Sequence, residues 1–188
     1  MRAVIFDCFG VLASDGLDPF FAKYFGHNSK LLDAATNLGR QADSGSLAYD
    51  DFIGRLAILA GTDHEMVRSQ IEDNVPDLQL FSYIEKKLSP RFKIGLLSNA
   101  ADNWLDELFT PSQVALFDEV ALSYAIGFIK PQMGSYMAIA KKLSLDPSEC
   151  IFVDDKERYC DGARQAGMQA VVYRNVRDLE LSIDRLSK

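Results

Sequence analysis

The residues best suited to chemistry in this 188-residue sequence are small and polar, and each group of them ends a short apolar run. Asp7 follows Ala3 to Phe6, Ser98 with Asn99 follows Phe92 to Leu97, and the pair Asp154, Asp155 follows Cys150 to Val153. Any one of these alone is explained by helix capping. Their joint occurrence is not. Two adjacent carboxylates at one strand end, with a third from another strand, repel one another unless a cation sits among them. Hard oxygen donors of this kind suit magnesium, which leaves room for water and phosphate oxygens. Lys130 precedes Pro131, which biases the lysine toward extended backbone and suits the first position of a following helix. A lysine and a helix N-terminus aimed at the same mouth both favour an anion such as phosphate.

The elements that must hold these residues follow from the hydrophobic period. Two further apolar runs, Val120 to Leu122 and Ala170 to Tyr173, bring the expected strands to five. Between them lie helical patterns such as Met133, Tyr136, Met137, Ala140 and Leu143, spaced to lay one apolar stripe against a sheet. Alternating strand and helix predicts an α/β fold, a five-stranded parallel sheet with helices on both faces. Ligands of such sheets bind beyond the carboxyl ends of the strands, where the polar residues above stand.

The interval 15–76 breaks the alternation, offering helical patterns and no strand-like run. It is expected to be an inserted small helical subdomain, with 1–14 and 77–188 forming the α/β core. Phe20, Phe21, Tyr24 and Phe25 make one helix face, expected to be internal packing, and Leu47 to Leu59 a second helix. Thr62, with Glu65 three residues on, predicts a capping box opening a third. A helix over Leu78 to Leu88 returns the chain to the sheet.

Composition narrows the partners. The net charge is −7, and basic residues cluster no further than the pairs Lys86, Lys87 and Lys141, Lys142, so nucleic acid and anionic membrane are poor partners. Apolar stretches fall short of the ~18 residues of a membrane span, and the N-terminus does not resemble a signal peptide, so a cytoplasmic protein is expected. Cys8, Cys150 and Cys160 are expected to be reduced core thiols. His27 and His64, both in the insertion, have no spaced partner for zinc, and no GxxxxGK[ST] phosphate loop is present. Trp104 is expected to pack in the core or at the lip of the site.

Four ordered segments carry a family resemblance: FDCFGVL at Phe6 to Leu12, LLSNA at Leu96 to Ala100, the Lys130, Pro131 pair, and FVDDKERYCDGARQAGM at Phe152 to Met168. Together they resemble the motifs of the haloacid dehalogenase-like (HAD) hydrolase superfamily, with a Rossmann-like core and the small helical cap of its sugar-phosphatase, epoxide-hydrolase phosphatase and dehalogenase branch. The resemblance implies that Asp7 is the nucleophile forming a covalent aspartyl intermediate. It implies that Ser98 and Asn99 bind the oxygens of the transferred group and that Lys130 neutralises charge on phosphate and nucleophile. Magnesium would be held by Asp7, by the backbone carbonyl of Phe9, and by Asp155 with Asp154 beside it. The substrate would be a small phosphorylated metabolite, with sugar phosphates the default, and the protein a monomer or homodimer.

The sequence departs from that pattern at Phe9, where most phosphatases of the superfamily carry a second aspartate as general acid and base. Phenylalanine cannot transfer a proton, and a lost acid or base typically costs about 10²–10⁴ in rate. Asp15 and Asp18 are candidates to replace it. Three readings stand: a magnesium-dependent phosphatase, a 2-haloacid dehalogenase whose halide leaves unprotonated, and a non-catalytic relative binding a phosphorylated ligand or a protein. The acid pair Asp154, Asp155 would repel a haloacid carboxylate without a cation and favours magnesium and phosphate. A phospho-acceptor receiver domain is disfavoured, since its paired acids belong to the first strand.

Overall fold

The four residues of β1, Ala3–Phe6, have no exposed surface at all, and a strand buried on both faces belongs in the middle of a sheet. In the computed structural model, which describes residues 1–187, β1 is the central strand. It pairs in parallel with β2 (Lys93–Ser98) and with β4 (Cys150–Asp154). The edges are β3 (Glu119–Leu122) beside β2 and β5 (Gln169–Val172) beside β4, giving the order β3-β2-β1-β4-β5. The five expected runs are these strands, each shifted by at most one residue at an end.

Alternation along the strands divides the core in two. Val4, Phe6, Ile94, Leu96, Ile151 and Val153 face one layer, and Ala3, Ile5, Leu97, Cys150 and Phe152 the other. Each fully buried side chain of this size contributes about 1.5–3 kcal/mol relative to exposure. The three cysteines are buried free thiols, as expected.

The chain leaves β1 and forms four helices before returning: α1 (Leu17–Phe25), α2 (Ser29–Asp43), α3 (Tyr49–Ala60) and α4 (His64–Glu72). They share a hydrophobic cluster of their own, built on Phe20, Phe25, Ile53, Leu56 and Val67. Phe20 and Phe25 are buried there, while Phe21 and Tyr24 are only partly covered. The capping box expected at Thr62 does not form. Asp63 is the cap, its carboxylate accepting from the Met66 N–H at 2.8 Å, because a carboxylate one residue later competes better for the same orphan donors. The chain enters and leaves this insertion through two crossings bonded to each other: Ser14 N–H donates to the Val75 carbonyl at 3.0 Å, and Asp77 N–H to that of Leu12 at 2.8 Å.

The return helix α5 (Leu78–Tyr83) runs on through a π-helical turn at Ile84–Leu88. Then come the single-turn helices α6 (Leu105–Leu108), α7 (Pro111–Val114) and α8 (Ser123–Ile126), followed by α9 (Met133–Lys142), α10 (Glu157–Gln165) and α11 (Val176–Leu186). Two expectations about α9 need correction. It starts at Met133, with Gln132 as the flanking residue, so Pro131 lies with Lys130 in the turn before it and not at its first position. Its buried face is Ser135, Tyr136, Ile139, Ala140 and Leu143, leaving Met133 and Met137 at 56% and 46% exposure. Tyr136 fixes this rotation: its ring packs on Phe152 and its hydroxyl donates to the Tyr159 carbonyl at 2.8 Å.

Candidate active site

The register places the polar strand ends at one level. Phe6 is opposite both Leu96 and Val153, so Asp7 continues past the sheet beside Asp154, and its N–H donates to the Val153 carbonyl at 2.9 Å. Ser98, the last residue of β2, is buried next to them. After Asp7 the chain turns at once: the Cys8 carbonyl accepts from the amides of Val11, Leu12 and Ala13 at 3.1, 2.7 and 3.0 Å. The Cys8 N–H donates to Asp7 Oδ1 at 2.7 Å, holding that carboxylate in place.

Lys130 reaches into the cluster from the turn before α9. Its Nζ lies 2.6 Å from Asp7 Oδ1 and 2.7 Å from Asp154 Oδ2, all three side chains being buried. Asn99 sets the lysine backbone: its Oδ1 accepts from the Lys130 N–H at 2.7 Å, and its Nδ2 donates to the Lys130 carbonyl at 3.3 Å. The amide expected to bind a substrate oxygen is therefore engaged in positioning the lysine. Ser98 Oγ donates to the Asn99 carbonyl at 3.2 Å.

Asp7, Asp154 and Asp155 bring carboxylate oxygens within 4.8 Å of one another. With all three ionised against one ammonium, the cluster carries a charge of −2, which a divalent cation balances. Burial, reinforced by Asp154 and opposed by Lys130, pushes the Asp7 carboxyl up to about 8, so the charged form needs more positive charge than the lysine supplies. The Asp154 oxygens have protein partners, Lys130 Nζ and the Lys156 N–H at 2.9 Å. Asp155 Oδ1, in contrast, is buried with no hydrogen-bond partner. Such an orphaned oxygen beside two other acids fits a metal ion, with Asp155 a freer donor than Asp154. Gly10 makes this possible, since its φ is +83° and a Cβ there would lie 2.7 Å from the Asp155 carboxyl. Gly10→Ala is expected to cost about 1–3 kcal/mol through the left-handed backbone alone, read as a lower urea midpoint at unchanged m, and to displace Asp155.

The cluster opens into a cavity of about 1690 Å³ between the helical insertion and the sheet. Phe9 lines it and packs edge-on against Trp104, with ring centroids 5.0 Å apart, which gives Trp104 its place at the lip. The backbone bridge of Phe9 to Ala13 uses the Gly10 N–H and the Cys8 carbonyl, not the Phe9 carbonyl. Asp15 and Asp18 also face the cavity, but Lys156 Nζ pairs with both, at 3.4 and 2.9 Å, and Asp15 caps the start of α1. His27 and His64 do not line it. Of the carboxyls there that the sequence pattern does not single out, the partly buried one is Asp43 at the end of α2. Its signal was present, because an acid in the last turn of a helix opposes the helix dipole.

A family model for haloacid dehalogenase-like hydrolases matches residues 1–167. The chain belongs to that family. Among curated relatives it is 31% identical to phosphatase MT3486 of Mycobacterium tuberculosis over 139 residues, 72% of this chain and 57% of that protein. YhcW of Bacillus subtilis is 28% identical over 57% of this chain and 49% of its own, so the chain spans about half the length of the curated relatives it matches. Among solved HAD folds, a HAD-like family hydrolase from Porphyromonas gingivalis aligns with a TM-score of 0.75 at 24% identity, covering 100% of this chain and 98% of the other. A HAD family enzyme from Bacteroides thetaiotaomicron, in a magnesium complex, aligns at 0.72 and 20% identity over 97% of this chain and 98% of its own. The L-2-haloacid dehalogenase of Xanthobacter autotrophicus aligns at 0.68 and 20% identity, over 100% and 83%. Among the described residues, no helix of this HAD chain is long and apolar enough to cross a membrane.

Proposed function

We propose that this HAD hydrolase is a magnesium-dependent phosphatase of small phosphorylated metabolites, working through an aspartyl-phosphate on Asp7. The observation that carries the reading is the acid trio with the orphaned Asp155 oxygen, set against Asp7 and Lys130. It agrees with the name of the M. tuberculosis relative and with the magnesium and phosphate held by the Bacteroides neighbour.

Residues 15–76 act as a cap over the core of 1–14 and 77–188, and the cavity between them receives the substrate. Asp7 Oδ attacks phosphorus, the ester oxygen leaves, and water then cleaves the acyl phosphate. Lys130 offsets the repulsion between carboxylate and phosphate dianion, while Ser98 and the backbone beside Asn99 border the phosphate oxygens. Asp7, Asp155 and the Phe9 carbonyl, with Asp154 beside them, would hold a magnesium ion, which when bound would supply further positive charge to the transferred group. The substrate is a small molecule, the protein a cytoplasmic monomer or homodimer. Dehalogenation is the second reading, favoured by Phe9 and opposed by the acid trio, which would repel a haloacid carboxylate.

Para-nitrophenyl phosphate tests the reading, because its leaving group departs without a general acid. Release is expected with magnesium and its abolition with EDTA. Equal release in both would overturn the metal, and halide release from 2-haloacids in place of any phosphate hydrolysis would establish the dehalogenase.

A further inference from the structure

The vacancy at position 9 leaves the leaving-group oxygen without a proton donor, and the cavity offers few replacements. Asp15 and Asp18 are each paired with the Lys156 ammonium. Asp50 and Glu72 are paired with Arg68. Asp102 and Glu107 are exposed at the rim. Asp43 differs from all of these: it is partly buried, it lines the same cavity as Asp7 and Lys130, and among the described residues no lysine or arginine pairs with it.

Its position is fixed from the core. Ser123 Oγ donates to the Asp43 carbonyl at 2.5 Å and accepts from the Ala100 N–H at 2.9 Å, so the end of α2 is fastened to the loop that follows Ser98 and Asn99. Asp43 and the Asn99 amide that clamps Lys130 line the same cavity. A helix of the insertion thus delivers one carboxyl, without an ion-pair partner among the described residues, to the cavity that Asp7 and Lys130 line.

We propose that Asp43 is the general acid and base of this enzyme, doing from the insertion what Phe9 cannot; the proposal rests on the phosphatase reading above. In the first step the Asp7 Oδ–P bond forms as the P–O ester bond breaks, and the Asp43 carboxylic acid gives its proton to the departing alkoxide, releasing the alcohol. In the second, water attacks phosphorus, the Asp43 carboxylate takes the water's proton, and phosphate leaves with Asp7 restored as a carboxylate. Protons balance over the cycle and no further reactant is needed.

The electrostatics agree with this role. Burial pushes the Asp43 carboxyl up to about 6, against the opposing pull of Lys130, Lys156 and the Asn99 amide. Arg40 stands on its own helix and Tyr124 of α8 lies beside Gly45, close to its C-terminal side. The acid form is therefore the one present below about pH 6, and the alkyl-ester reaction should decline above it.

The test compares kcat/KM, which covers only the steps up to alcohol release, for glycerol 2-phosphate and para-nitrophenyl phosphate with magnesium. In Asp43→Asn the alkyl ester should lose about 10²–10⁴-fold, at least tenfold more than the aryl ester, and the decline above pH 6 should vanish. Asp43→Glu should recover part of the alkyl-ester rate. Equal losses on both esters would overturn the proposal by making Asp43 a binding group, as would unchanged rates or a wild-type profile without the decline. Should Asp43→Asn not fold, Asp43→Glu carries the same comparison of the two esters. Wild-type protein that hydrolyses neither ester overturns the phosphatase reading itself, a result distinct from turnover that ignores Asp43.

Discussion

Asp7→Asn should fold normally and lose turnover by about 10⁴-fold or more, the scale on which removal of a reacting side chain acts. Asparagine keeps the size of the side chain and an acceptor for the Cys8 N–H, now at 2.7 Å from Oδ1, so the turn after β1 has no reason to change. What it lacks is the anionic oxygen that, on the proposed mechanism, attacks phosphorus. Lys130 retains Asp154 as partner, so the lysine is not stranded. Para-nitrophenyl phosphate release with magnesium, alongside far-UV circular dichroism, measures both halves of the expectation. Folded Asp7→Asn protein with substantial turnover would remove Asp7 from the mechanism.

Lys130→Met should be costly in two ways. The ammonium is buried against two buried carboxylates, and those acids raise its affinity for the proton despite burial. Removing one partner of a buried ionic network costs about 3–5 kcal/mol, because the remaining charges are left without compensation. For a chain of this length that is roughly 6–20 °C in the thermal midpoint. Methionine preserves most of the apolar stem, so the deficit belongs to the charge. Turnover should fall by about 10²–10³, as when one preorganised donor to a developing anion is removed. A midpoint within 2 °C of wild type, by calorimetry, would show the lysine to be structurally dispensable.

The sheet was legible because each strand is a short, wholly buried run stopped by a polar residue, and the stop is itself the site. Parallel pairing needs no turn signal to be recognised, and the register then follows from where Asp7, Ser98 and Asp154 must align. Local competition was harder. Thr62 and Asp63 both satisfy a capping pattern, and only the geometry at Met66 separates them. In α9 the methionines fit the periodicity as well as Ser135 and Ile139 do, and the choice was made by Tyr136 against Phe152 across the sheet.

The candidate site divides along the same line. Asp7, Lys130, Asp154 and Asp155 end or follow core strands, so their convergence follows from the fold class. Asn99 was read as a ligand group because sequence shows a polar side chain but not that its amide is already spent on Lys130. Asp43 required knowing where the insertion touches the core, a contact between residues 43 and 123 that no local pattern encodes.

The two crossings between core and insertion are bonded to each other at Ser14–Val75 and Leu12–Asp77. Entry and exit therefore form a single two-stranded ribbon that joins the insertion to the core. The Ser123–Asp43 bond is a separate latch between insertion and core. On the proposed mechanism, any opening of the insertion that breaks this latch would also carry Asp43 away from the core, so that admitting an ester and supplying its proton would be coupled.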